Sequence, residues 1–336
     1  MTTLPQFVKT IDNAFTTTWY EIQPQAMNQI LEATVVWAWL KQKGCFETQQ
    51  GGTNIERTVK YALPTTKAVV KGDTLDAVEI ENRTAGFWTF RNLSTSIVRS
   101  LHDDRANRGS FQIINYVSDR VEDAMETLRQ QYERDLLRAA VTDESGKEIQ
   151  GLHDMIPPVA SRATGTYGGI ARPTTFSSDV ATVGNTWWTP KYAQLTANPD
   201  VNLLSDMKHF KNTVENQQET VDGLLTTQTL YETYEEFGLD ASQIVGNQKL
   251  LDLGFTTLKF KGADMFWSAN VTSGDMMFLT SKFIRVVYDP MIWFAMGPWK
   301  EPHNQVERIC HILCTMNIVP GPKARASLRY HGLLYT

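Results

Sequence analysis

Between Ser110 and Ala140 the chain contains neither proline nor glycine. Within that run Ile114, Val117, Val121, Ala124, Met125, Leu128, Tyr132 and Leu136 recur at intervals of three and four. This spacing lays one apolar stripe along a helix. A single helix over the run is on the order of 45 Å long at 1.5 Å per residue, so it fixes one long dimension of the fold. Its other face carries Asp119, Arg120, Glu122, Asp123, Glu126, Arg129 and Arg134. The mixture of signs reads first as a solvated face, with a partner surface as the alternative.

Beyond this helix the chain changes texture. A second helix is expected from about Leu203 to Val214, and "GLLTTQTLYETYEEF" reads as a strand running into a short helix. From Gly254 onward strands dominate: "FTTLKFKG", "MFWSANV", "DMMFLTSKFIRVVY", "MIWFAM", "ERICHILCTMNIVP" and "ARASLRYHGLL". These runs are rich in β-branched and aromatic residues and are separated by turn signals. Strands and helices do not alternate, which argues against a doubly wound parallel sheet and for an α+β chain. No repeat with a period of 20 to 50 residues is apparent.

Ahead of the long helix, "GGTNIERTVKYALP" and "TAGFWTFRNLSTSIVRS" read as two long strands. Between them lies a polar stretch with a turn signal at Gly72-Asp73. Residues 51 to 100 are therefore expected to form a long hairpin. An isolated hairpin is marginal in water, so this one must dock on the rest of the chain or on another subunit. Residues 1 to 20 are rich in Thr and poor in aliphatics and read as a loosely ordered arm. Pro24 then opens an expected helix with Met27, Ile30, Leu31, Thr34, Val35 and Ala38 in phase, ended by Gly44.

The most suggestive loop is "ATGTYGGIARPTTF", residues 163 to 176. A phosphate loop needs GxxxxGK[ST], and a dinucleotide loop needs GxGxxG between a strand and a helix. Neither spacing is present, no Lys follows Gly168-Gly169, and Pro157, Pro158 and Pro173 flank the stretch. The glycines Gly165, Gly168 and Gly169 are expected to serve turns with positive φ.

Other chemistry is equally sparse. In "CHILC", Cys310 and Cys314 would share one face of a strand and His311 the other, so the three do not converge on a metal. In "LHDDR", His102, Asp103 and Asp104 precede the long helix, where carboxylates favour its positive end. No GxSxG motif occurs, and no acid/base pair can be assembled. The reading is of no catalytic, cofactor-binding or metal-binding residue, and no cofactor.

The bulk numbers narrow the class further. The 336 residues are 42% hydrophobic and 21% charged, with a net charge of -5. That balance does not mark a dedicated nucleic-acid binder. Three cysteines make no disulfide framework and suit a reducing compartment. The start, "MTTLPQFVKTIDNAF", has no basic region leading into an apolar core, so no signal peptide is expected. A chain that keeps this Met1 is also expected to escape trimming of its arm. "ATVVWAWL", residues 33 to 40, is too short to span a hydrocarbon layer of ~30 Å. A soluble protein made in a cytosol is expected. Nine Trp, eleven Tyr and fifteen Phe suit a core and also large subunit interfaces.

Several stretches, taken in order, carry a resemblance. "GLHDMIPPVASRATGTYGGIAR" followed by "WWTPK" is similar to a "GL…GT-x-GGI-x-R…WWR" segment of one subfamily of phage shell proteins. "LDLGFTTLKFKGADMFW" is similar to its "LGF-x-x-L-x-F-x-G" strand, and "MMFLTSKFIRVVYDP" to its "FLN-x-x-x-L" strand. "ARASLRYHGLL" sits where that subfamily ends in a basic "HG" strand. The chain thus resembles the major capsid proteins of tailed bacteriophages, which have the Johnson, or Hong Kong 97-type, fold. The similarity spans roughly residues 20 to 335. Thr280 and Thr189 stand where Asn and Arg are usual.

The resemblance implies an arm and helix over 1–50, an extended hairpin over 51–100 and a peripheral domain with a spine helix over 101–150. It further implies an axial domain over 151–255, with strands of 256–336 returning to the peripheral domain. Many copies would close as hexamers and pentamers into an icosahedral shell around double-stranded phage DNA. Such a protein is not an enzyme. It is made and assembled in the host cytoplasm and resides in the virion. Implied partners are other copies of itself, a portal, scaffolding or decoration proteins, and weak, non-specific contact with DNA, without a membrane. Lys67, Lys71 and Asp73 in the hairpin and Tyr167 and Arg172 in the glycine loop are the candidate subunit contacts. The alternatives are a nanocompartment shell of the same fold, another virion component, or a cytosolic α/β enzyme.

Overall fold

The computed structural model describes residues 12–13, 34–62, 64, 66–74, 81–100, 110–137, 147–156, 165–173, 175–177, 180–185, 187–188, 190–195, 199–215, 219–239, 258–303, 307–321 and 331–335. Helix α1 (Val35–Gln42) is followed by Gly44 at φ +67°, which turns the chain into β1 (Phe46–Thr48). Strands β2 (Asn54–Lys60) and β3 (Arg83–Thr89) form a hairpin, and β4 (Arg91–Ser100) leads to the long α2 (Ser110–Leu137). A short α3 (Leu152–Met155) precedes two small hairpins, β5 (Thr166–Tyr167) with β6 (Ile170–Ala171) and β7 (Thr175–Ser177) with β8 (Val180–Val183). Then come β9 (Lys191–Leu195), α4 (Pro199–Val214), β10 (Gly223–Thr226) and α5 (Gln228–Leu239). The remaining strands are β11 (Leu258–Phe260), β12 (Ala263–Trp267), β13 (Asp275–Leu279), β14 (Ile284–Tyr288), β15 (Ala295–Met296), β16 (Glu307–Pro320) and β17 (His331–Tyr335).

The strands gather into two main sheets. One has the order β1-β14-β16-β15, with β4 pairing β16; the other has the order β11-β12-β10-β13-β17-β9. The 14-residue β16 organises the first sheet, pairing β4 over Glu307–Met316 and β14 over Met316–Pro320. Along β16 the pattern alternates: Cys310, Ile312 and Cys314 are buried, while His311 and Leu313 are exposed. The buried side shares a core with Val121, Ala124, Leu128, Tyr132 and Leu136 of α2. This is the stripe expected from the spacing. Ile114 and Val117, which continue it, have side chains outside the described residues. Asp119, Arg120, Glu122, Asp123 and Glu126 are exposed, as a solvated face requires.

Strands β10, β12 and β13 of the second sheet are buried on both faces. Leu225, Phe266, Met277 and Leu279 point into the core shared with α2, while Leu224, Met265, Met276 and Phe278 point into a second core with α4 and α5. Successive residues of β10, β12 and β13 serve opposite layers, as the period of two demands. These strands are therefore apolar runs without alternation.

Two expectations need correction. The stretch "TAGFWTFRNLSTSIVRS" is not one return strand of a hairpin reaching to 100. The hairpin ladder ends at the Asn54–Thr89 pair, and residues 91–100 pair with β16 instead. The strands of 256–336 likewise do not all return to the sheet under α2. β14, β15 and β16 do, but β11, β12, β13 and β17 join β9 and β10. The expected arm and the start of the Pro24 helix lie outside the described residues, apart from Asp12 and Asn13. The pair Asp103-Asp104 lies outside them as well.

Candidate assembly surface

The hairpin is built like a lever with a clamped root. Ile55 and Val59 of β2 and Trp88 of β3 are buried on one face, while Glu56, Thr58 and Phe87 are exposed on the other. The pair Ile55–Trp88 lies directly across the ladder, the unit through which a two-stranded sheet gains stability. Beyond the ladder, the Tyr61 amide donates to the Asn82 carbonyl at 3.1 Å. The Tyr61 ring stacks on Trp187 at 4.9 Å between centroids, with the planes 19° apart.

What clamps the root is the glycine loop. Gly168 and Gly169 have φ of +62° and +74° and form the turn between β5 and β6. The Phe87 amide donates to the Gly168 carbonyl at 2.9 Å. A Cβ on Gly168 would lie 2.2 Å from the Trp88 ring. Glycine here thus serves both the turn and the close approach of hairpin to loop. Tyr167 lies edge-on to Trp88 at 5.5 Å and stacked against Trp188 at 6.0 Å. The Trp188 indole donates to the Tyr167 carbonyl at 3.0 Å. Arg172 sits over the Tyr167 ring at 5.4 Å and donates to the carbonyls of Asp154 and Met155.

The five candidate contacts therefore separate into two groups. Lys67, Lys71 and Asp73 are all exposed, in the stretch beyond the hairpin ladder. There Val70 and Asp73 close a turn, with the Val70 amide donating to the Asp73 carboxylate at 2.8 Å and Gly72 at φ +101°. The turn holds Val69 and Val70 out in water, the latter 77% exposed. Tyr167 is a correction: it is 2% exposed, so it reaches no surface of this fold, and burial pushes its phenol well above the ordinary range. Arg172 is half-buried and bound to the chain's own carbonyls. Both belong to the clamp and not to the tip.

Sequence reasoning missed a second exposed apolar area. On the outer side of the first sheet, Val98 of β4 and Leu313 of β16 are exposed, and Leu313 pairs with Ala295. Met291 and Ile292, in the tight turn Pro290–Ile292, are also exposed. The alternation of "CHILC", which sets His311 and Leu313 on the face opposite the buried cysteines, is the sequence signal that marks it.

Burial pushes the thiols of Cys45 and Cys310 up to about 11 and that of Cys314 up to about 12, so all three stay protonated and poorly nucleophilic at neutral pH. Cys310 donates to the Gly297 carbonyl at 3.0 Å, and His311 points to the opposite face. Among the described residues no three His, Cys, Asp or Glu side chains gather as a metal set, and no helix is long and apolar enough to cross a membrane.

No family model matches the sequence, and no curated protein is similar to it by sequence. Solved structures are similar in fold. The capsid asymmetric unit of cyanophage A-1(L) superposes with a TM-score of 0.63 at 13% identity, covering 86% of this chain and 89% of that one. The capsid of a native GTA particle gives 0.58 at 8% identity over 88% and 89%. The holo-SrpI encapsulin complex of Synechococcus elongatus gives 0.52 at 9% identity over 88% and 86%. The chain therefore has the α+β Hong Kong 97-type fold of phage capsids and encapsulins.

Proposed function

We propose, from the Hong Kong 97-type fold together with the exposed hairpin, that the chain is the major capsid protein of a tailed phage. Copies of it form hexamers and pentamers that close into an icosahedral shell around double-stranded DNA. The observation that carries this reading is the hairpin: its root is clamped by Trp88, Tyr167, Gly168 and Trp188, while its tip leaves Val69 and Val70 in water. A tip with so much exposed apolar surface gains by covering it on a neighbour. Lys67, Lys71 and Asp73 are then rim contacts, which set register more than affinity. Residues 51–90 supply the reaching element, 101–150 the spine, and 151–255, with the strands that join them, the axial part. The role is structural and not enzymatic. A net charge of -5 fits weak, salt-sensitive contact with the genome. A portal and scaffolding or decoration proteins are the further partners, with assembly in the host cytoplasm and residence in the virion.

Negative-stain microscopy of the expressed protein tests the proposal directly. Polyhedral shells or rings of five or six are expected. A monodisperse monomer or dimer at every concentration and salt would sink it. The likeness to the SrpI encapsulin complex favours one second reading, a nanocompartment shell. Purified shells would then hold protein cargo, whereas packaged nucleic acid marks a capsid.

A further inference from the structure

Strand register places Arg99 of β4 directly opposite Arg308 of β16. Like charges at opposed positions repel. Water does little to screen them, because the Arg99 side chain is 1% exposed and that of Arg308 is 16% exposed. The repulsion is met from far away in sequence. One carboxylate oxygen of Asp12 accepts from Arg99 Nη2 at 2.8 Å, and the other accepts from Arg308 Nη1. The Trp299 ring closes one side of the site, 4.8 Å from the Arg99 guanidinium. Glu301 reaches Arg308 Nε at 3.2 Å but is 68% exposed, so it counts for less than the half-enclosed Asp12.

Two opposed guanidiniums with one shared carboxylate make a built anion site. A charged hydrogen bond to a buried group is among the stronger single contacts, and removing one partner leaves the other charge stranded. We infer that Arg99 and Arg308 form a carboxylate-binding site in the β4–β16 ladder. Asp12 fills it, so the chain is strapped to the sheet by charge at Asp12. This concerns the single chain and stands apart from the shell reading. The fastening is local: the β4–β16 ladder holds ten residue pairs and survives without it.

The test uses the full-length protein and hydrogen–deuterium exchange of peptides that span Asp12. Asp12→Asn removes the carboxylate charge that both arginines share, and Arg308→Gln removes one of its two partners; Arg308→Gln also removes the repulsion, so it keeps the sheet stable if Asp12→Asn weakens it. In both, the Asp12 peptides are expected to exchange about tenfold faster or more, with the β16 peptides unchanged. The charge-reversed double variant Asp12→Arg with Arg308→Asp is expected to restore slow exchange. Unchanged exchange in both single variants would overturn the inference. So would loss of protection that the reversed pair does not restore, because shape and not charge would then hold the strap.

Discussion

Gly168 and Gly169 share a positive φ but not their surroundings. A Cβ on Gly168 meets the ring of a Trp that is 1% exposed and cannot move aside, whereas a Cβ on Gly169 meets nothing within 4 Å. Gly169→Ala is expected to cost about 1 kcal/mol from backbone strain alone. Gly168→Ala is expected to cost about 3 kcal/mol or more, since overpacking is added to strain. Denaturant midpoints of the two variants check the order, and equal losses would refute the clamp. Asp275 offers a pH test. Burial pushes its carboxyl up to about 6 from the ordinary 3.8. The folded chain therefore binds that proton more tightly than the unfolded chain does. Stability from this group is full below about pH 4 and is lost as pH rises through about 6. Asp275→Asn is expected to raise the melting temperature at about pH 8, with the gain vanishing by about pH 4. A gain independent of pH would count against the assignment. His153, whose imidazole burial holds below its ordinary range, acts oppositely, favouring the fold above about pH 6.5 and weakening it as pH falls. At this scale the sequence was least legible. Tyr167 stands between glycines and reads as a surface turn; only the approach of Trp88, from nearly eighty residues earlier in the chain, makes it core. The tie of Asp12 to Arg99 and Arg308 leaves no local trace at all.

Among the elements, α2, α4 and α5 were legible because their periodicity is a local property. Their ends fall within a few residues of the expected positions. The strands were legible as strands but not as sheets. The break at Phe90, where the chain leaves the hairpin for β16, is set by a partner more than two hundred residues away, so no window of sequence contains it. The hairpin was legible as a polar-tipped pair, and its clamp was not. Because the clamp holds the root, the tip is expected to be dispensable for folding. Deleting residues 63 to 80 should leave the melting temperature of the isolated subunit nearly unchanged while assembly fails, as sedimentation velocity would report. Val70→Asp should do the same with a smaller change, shifting subunit stability by less than about 0.5 kcal/mol. Normal shells from the deletion would refute the role given to the hairpin, and a collapse of subunit stability would show that the tip belongs to the fold.

At the scale of the whole molecule, two cores flank one sheet, and among the described residues the exposed apolar area lies on the hairpin and on the outer side of the other sheet. Covering those areas between copies adds stability only when copies meet. Melting of the subunit is therefore expected to rise with protein concentration and to rise further on assembly, whereas a concentration-independent transition would mean that the exposed faces stay uncovered. The strand orders have a consequence in time. Among the described residues β4 has no strand neighbour but β16, and β9 pairs only with β17, which inserts between β9 and β13. A ribosome adding about 5–20 residues per second needs on the order of ten to forty seconds to travel from β4 to the end of β16. For that interval β4 has no ladder to join; β9 waits a shorter time, but for a strand that is made later still. On the shell reading proposed above, a nascent chain cannot yet present a finished surface to its neighbours, so assembly is expected to follow release of the full chain. A product cut short before β16 leaves β4 without its ladder, and on that same reading is expected not to enter an assembly.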